Sequence, residues 1–126
     1  MANYPSALVT IYTADIARSA QFYGATLGLS ETYRFHNTGA PEHIEFRIGG
    51  GTIAVSSPAG LRAHGMPPAT AGHPFEIGSK SDNLDAAIAE LKSAGVHIVK
   101  EPSLSAAGNR CTCIADPDGT SISLYQ

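Results

Sequence analysis

No stretch of this 126-residue chain comes near the roughly 18 consecutive apolar residues that a bilayer-spanning helix needs, so no membrane partner is expected. Positive charge is scarce as well. Eight Lys and Arg stand against eleven Asp and Glu, a net charge of -3, whereas a nucleic-acid partner calls for a basic excess facing its phosphates. The opening Met-Ala-Asn-Tyr-Pro lacks a basic segment followed by an apolar one, and a cytoplasmic location is expected. Cysteine is limited to Cys111 and Cys113. At i and i+2 of a strand-like segment their side chains share a face, about 6.5 to 7 Å apart at Cα, which is the limit of disulfide geometry. Reduced thiols acting as small apolar side chains are the expected reading, with redox or metal use as the alternative. No strained Gly-x-Ser-x-Gly elbow occurs, and Gly49-Gly50-Gly51 has no following helix of the kind a phosphate cradle requires. What remains is a globular composition, 43% hydrophobic and 15% charged, in a length that fits one domain.

The chain repeats itself. Asp15-Ile16-Ala17-Arg18-Ser19 opens one helical stretch and Asn83-Leu84-Asp85-Ala86-Ala87 opens another, 68 residues later. The helix ends Leu27-Gly28-Leu29 and Ala94-Gly95-Val96 recur at an offset of 67, and the strand-like runs starting at Gly51 and Thr120 at an offset of 69. Two copies of one module, about 5–57 and 72–126, therefore fill a single domain, joined by a Pro- and Gly-rich linker over 58–71.

Within the first module, β-formers over 6–13 predict a strand, and Asp15 then caps a helix. Ile16, Ala20, Tyr23 and Leu27 recur at helical spacing, and Gly28 ends the run. Strands follow at about 31–36, 42–48 and 52–57. The second module repeats the order with a strand near 74–80, a helix to Ala94 and strands near 96–100, 110–115 and 120–125. Asp116-Pro117-Asp118-Gly119 is a turn, because Pro presets φ and Gly accepts the positive φ of a tight connection. The fold class is thus α+β: βαβββ twice, with helices on one side of a curved, mostly antiparallel sheet whose other side lines a cleft.

Strand alternation assigns the faces. Ile44, Phe46, Ile53, Val55, Ile122 and Leu124 pack on the helices, which leaves His43, Glu45, Arg47, Ser56, Ser121, Ser123 and Tyr125 toward the cleft. Leu8, Thr10 and Tyr12 join them if Val9 and Ile11 pack. Glu76 and Arg110 complete the expected polar lining, with Tyr33 or Phe35 at the rim. His36, His64 and His97 read as surface residues, while His43 and His73 lie nearer the cleft.

The βαβββ pair, the segment from Thr13 through Tyr23 into Leu27-Gly28-Leu29, and Asp116-Pro117-Asp118-Gly119 before the last strand resemble the vicinal oxygen chelate superfamily, which comprises glyoxalases, bleomycin-resistance proteins and extradiol dioxygenases. The resemblance covers nearly the whole chain and implies a U-shaped sheet, a homodimer and, in the enzymes, a divalent metal. Its four ligand positions fall here at Leu8, Ala54, Glu76 and Ser123. Only Glu76 is a strong donor, and the glutamate of the enzymes' final strand is replaced in Gly119-Thr120-Ser121-Ile122-Ser123-Leu124. A displaced site from His43, Glu45 and Glu76 is the alternative; no metal and no cofactor are expected.

The function expected is that of a metal-free binder of the bleomycin-resistance type, which sequesters a small-molecule ligand, an antibiotic or metabolite. The ligand-binding candidates are Tyr12, His43, Glu45, Arg47, Ser56, Glu76, Arg110, Ser123 and Tyr125. With no Trp for stacking, bleomycin itself is disfavoured as the ligand. The alternative is a glyoxalase-like lyase or isomerase, using an unorthodox metal site or Glu76 as a cofactor-free general base.

Overall fold

A computed structural model describes residue 3 and residues 8–59, 76–105 and 108–126. The chain divides into two compact units, Met1–Thr70 and Ala71–Gln126. Residues 60–71 of the expected linker, together with His64 and His73, lie outside the described residues. Among the described residues no helix is long and apolar enough to cross a membrane.

The first unit runs β1 (Leu8–Tyr12), α1 (Ile16–Ala20), a π-helical segment (Gln21–Thr26), β2 (Ser30–Phe35), β3 (His43–Ile48) and β4 (Gly51–Ser56). The sheet order is β1-β4-β3-β2, with β1 and β4 parallel and the other pairs antiparallel. Asp15 starts the helix as expected, because its carboxylate accepts the Arg18 N–H at 3.0 Å. Asp15→Ala should therefore cost about 1 kcal/mol, read as a lower denaturant midpoint.

The α-helix expected to continue to Leu27 instead widens after Ala20, and the Leu27 N–H donates to the Phe22 carbonyl five residues back, at 2.9 Å. The widening has a packing cause. It turns the consecutive residues Phe22 and Tyr23 both inward, with Tyr23 fully buried, its ring 5.0 Å from Phe22 edge-on and 6.2 Å from Phe46. Gly24 permits the approach: a Cβ there would stand 3.3 Å from Phe46 Cε1. Ile11, Ile16, Ile44, Ile53 and Val55 complete this core, on the sheet face that alternation assigns to the helix.

The second unit repeats the topology with β5 (Ile77–Lys80), α2 (Leu84–Ser93), β6 (His97–Leu104), β7 (Arg110–Ala115) and β8 (Ser121–Tyr125), ordered β5-β8-β7-β6 with β5 and β8 parallel. Asn83 caps α2 by accepting the Ala86 N–H at 3.0 Å, and the side chain of Gln126 accepts the Leu84 N–H at 2.8 Å. Leu84, Ile88 and Leu91 turn inward. Asp116 through Gly119 form the expected tight connection, with Gly119 at φ +87° and its N–H on the Asp116 carbonyl at 3.0 Å.

Strand β6 runs His97–Leu104, past the expected end near 100 and through Pro102. Register shifts between Ile98 and Lys100 and between Lys100 and Ser103 absorb that proline, which has no N–H to give to a ladder. The Thr112 hydroxyl donates to the Lys100 carbonyl inside the irregularity.

Candidate functional site

The first sheet leaves one face free of its helix, and the register arranges that face in rows. Tyr12, Ser56, His43 and Phe35 are successive partners across the strands, and Thr10, Ala54, Glu45 and Tyr33 form the next row. Leu8, Thr52, Arg47 and Ser30 form a third. Five sequence candidates, Tyr12, His43, Glu45, Arg47 and Ser56, thus share one face of one sheet.

At its centre His43 Nε2 lies 2.8 Å from Glu45 Oε2, and both side chains are about a quarter exposed, 26% and 24%. A proton on Nε2 shared with the carboxylate leaves Nδ1 of the neutral ring as an acceptor. The Tyr33 ring stands edge-on to His43 at 6.1 Å. Tyr12, Tyr33 and Phe35 are all exposed, whereas Ala54 and Ser56 are buried between the bulkier neighbours. The Ser56 hydroxyl donates to the Glu42 carbonyl at 3.1 Å, which fixes it as part of the floor. The face therefore offers aromatic surface for stacking around an oriented imidazole and a carboxylate. Sequence placed Tyr33 only at the rim; its contact with His43 depends on the register shift between Glu31 and Tyr33.

The helix-free face of the second sheet carries Ser123, paired with Gly78 and Cys113, and Tyr125, paired with Lys80 and Cys111. Glu76 is exposed, one residue before β5. Arg110 stands on the other face. It shares the parity of buried Thr112 and Ile114, and its guanidinium donates two hydrogen bonds to Asp85 of α2, at 2.7 and 3.1 Å. Parity with Ile114 is the sequence signal that locates it there.

The hydrogen bonds from Arg110 hold the Asp85 carboxyl below the usual aspartate range and raise the arginine in turn. A depressed carboxyl contributes stability above its unfolded titration range and loses it as pH falls through the folded one. The unfolding curves of the native chain and Asp85→Asn should therefore coincide in acid and separate slightly toward neutral pH, with a gap that salt closes, since both side chains are well exposed.

The four positions that the resemblance assigns to a divalent metal do not fit one. Leu8 and Ala54 carry no donor atom and Ser123 only a neutral hydroxyl, so Glu76 is the single strong ligand. Among the described residues no group of three or more His, Cys, Asp or Glu side chains is placed to hold a metal ion.

No curated protein matches the chain. Among solved structures, a member of the glyoxalase/bleomycin resistance protein/dioxygenase superfamily from Sphaerobacter thermophilus is similar at a TM-score of 0.77 and 24% identity, covering 98% of this chain and 97% of that one. A family enzyme from Burkholderia phytofirmans gives 0.78 at 19% identity over 94% of both chains, and TioX from Micromonospora sp. gives 0.76 at 19% over 98% of both. At such identities the likeness establishes the fold. The profile of the glyoxalase/bleomycin resistance protein/dioxygenase superfamily matches residues 7–124, and with nearly its whole length matched the chain belongs to that superfamily.

Proposed function

We propose that the protein is a metal-free small-molecule binder of the bleomycin-resistance type, which sequesters an antibiotic or metabolite on the helix-free face of its first sheet. One observation carries the reading: exposed Tyr12, Tyr33 and Phe35 surround a hydrogen-bonded His43–Glu45 pair on one face, while Leu8 and Ala54 leave two of the family's four metal positions without a donor atom. Stacking surface with a few fixed polar groups is the composition that captures an aromatic ligand bearing hydrogen-bond donors. Arg47 and Ser56 supply further polar contacts on that face in this proposal; the second unit, taken by itself, offers Ser123 and Tyr125 on its own helix-free face and Glu76 as an exposed carboxylate, and Arg110 stays in its pair with Asp85. A cytoplasmic homodimer is part of the same reading, and sedimentation equilibrium checks the dimer.

Elemental analysis of protein purified without chelators, followed by calorimetric titration with nickel, zinc, manganese and iron(II), tests the metal-free part. The proposal expects no near-stoichiometric divalent metal; tight binding of one ion per chain would overturn it. A thermal-shift screen of antibiotics and metabolites, bleomycin included, then seeks the ligand.

The same His43–Glu45 contact favours a second reading, a cofactor-free lyase or isomerase in which the carboxylate orients the imidazole to take a proton. Glu76 is less suited to that role, because its side chain is exposed to water and no hydrogen bond among the described residues orients it. Turnover of a bound ligand, lost in His43→Ala, separates this reading from sequestration.

A further inference from the structure

The helix-free face of the second sheet gathers the chain's only two cysteines. Cys111 and Cys113 are both free and half-buried, and β7 sets them at i and i+2, so both side chains leave the same face. Lys100 joins them. The register shifts of β6 bring it opposite Cys113, and its Nζ lies 3.9 Å from Cys111 Sγ.

We infer that Cys111 and Cys113 together bind one soft monovalent cation, cuprous or silver, as a two-coordinate dithiolate whose charge partner is Lys100. Geometry favours a metal bridge over a disulfide. Alternate strand residues stand about 6.6 to 6.8 Å apart, at the upper limit for a disulfide, whose Cβ atoms must approach to about 4 Å. Two metal–sulfur bonds of about 2.3 Å placed end to end separate the sulfurs by about 4.6 Å, which each Sγ reaches by leaning about 1 Å toward the other. The backbone need not move.

Ligand softness and charge select the ion. Paired thiolates favour cuprous-type cations over hard ones. Two thiols and one M⁺ give M(SR)₂⁻ and two released protons, with no change of oxidation state, and the remaining negative charge sits against the ammonium of Lys100. A divalent ion would leave a neutral pair that gains nothing from Lys100, and zinc asks for four donors, of which the described residues gather no such group.

The test titrates the full chain, reduced and free of oxygen, with cuprous ion and separately with silver ion in the presence of a competing chelator. Native mass spectrometry reads stoichiometry, and thiolate-to-metal absorbance reads the bond. One ion per chain is expected. Cys111→Ser and Cys113→Ser should each weaken binding at least about 100-fold, since a lone thiolate forfeits the second bond. Lys100→Gln should weaken it several-fold and Lys100→Arg restore it. In the unsubstituted protein, one equivalent of silver should shield both thiols from a disulfide reagent, a readout that needs no variant to fold. Half an ion per chain, equal affinity in Cys111→Ser, zinc held as tightly as cuprous ion, or thiols left open by silver would each overturn the inference.

Discussion

Phe46→Ala is expected to destabilise the protein by about 3 to 5 kcal/mol, the range for removing a buried aromatic ring and leaving a cavity. The ring is 2% exposed in the middle of β3, beside Tyr23 and directly over Gly24, where no side chain exists to collapse into the space. The loss should appear as a lower denaturant midpoint with an unchanged slope. Phe46→Leu, which refills much of the volume, should retain most of the stability. Equal losses for the two variants would mean that the Phe22, Tyr23 and Phe46 cluster does not hold the π-helical segment to the sheet.

Asp116→Ala is expected to cost about 2 to 4 kcal/mol through a different mechanism. Asp116 is 4% exposed, and its Oδ1 accepts the Asp118 N–H at 2.9 Å and the Thr120 N–H at 2.7 Å. Hydrogen bonds to a charged acceptor are worth about 1.5 to 3 kcal/mol each, and the Thr120 N–H is buried, so it would find no water in exchange. Asp116→Asn keeps an oxygen in place and should lose well under half as much. An alanine variant as stable as the asparagine one would show that Pro117 and the positive φ of Gly119 close the turn without the carboxylate.

These two sites differ in how far the sequence declares them. The turn at Asp116 is legible because Pro, Asp and Gly each have a local backbone reason to stand where they do. The caps Asp15 and Asn83 are legible for the same reason, and the repeat between them carries the whole βαβββ duplication. Phe46 is legible as an inward residue, since β3 alternates cleanly, but the π-helical turn beneath it is not. Ile16, Ala20, Tyr23 and Leu27 keep an α-helical period, and nothing in that period announces the widened turn that seats Gly24 against Phe46. The strand expected near 96–100 ends too early, because the register shifts carry β6 through Pro102 to Leu104.

The candidate site divides along the same line. Alternation alone puts His43, Glu45 and Arg47 on one face, and the 2.8 Å contact between the first two follows from their i and i+2 spacing. Arg110, expected in the cleft lining, shares the parity of Ile114 and turns instead toward Asp85. The approach of Lys100 to Cys111 depends on the irregular register of β6, a tertiary feature that no local pattern encodes.

The most direct test of the binding face takes the strongest ligand from the thermal-shift screen and measures its affinity by calorimetry for the unsubstituted protein, Tyr33→Ala and Glu45→Gln. Both residues are at least partly exposed, so neither change should disturb the fold. The account predicts one ligand per chain and affinities lower by about 10- to 100-fold in each variant, the loss of roughly one to two good contacts. A ligand held equally well by all three proteins would place binding elsewhere and contradict the assignment of this face.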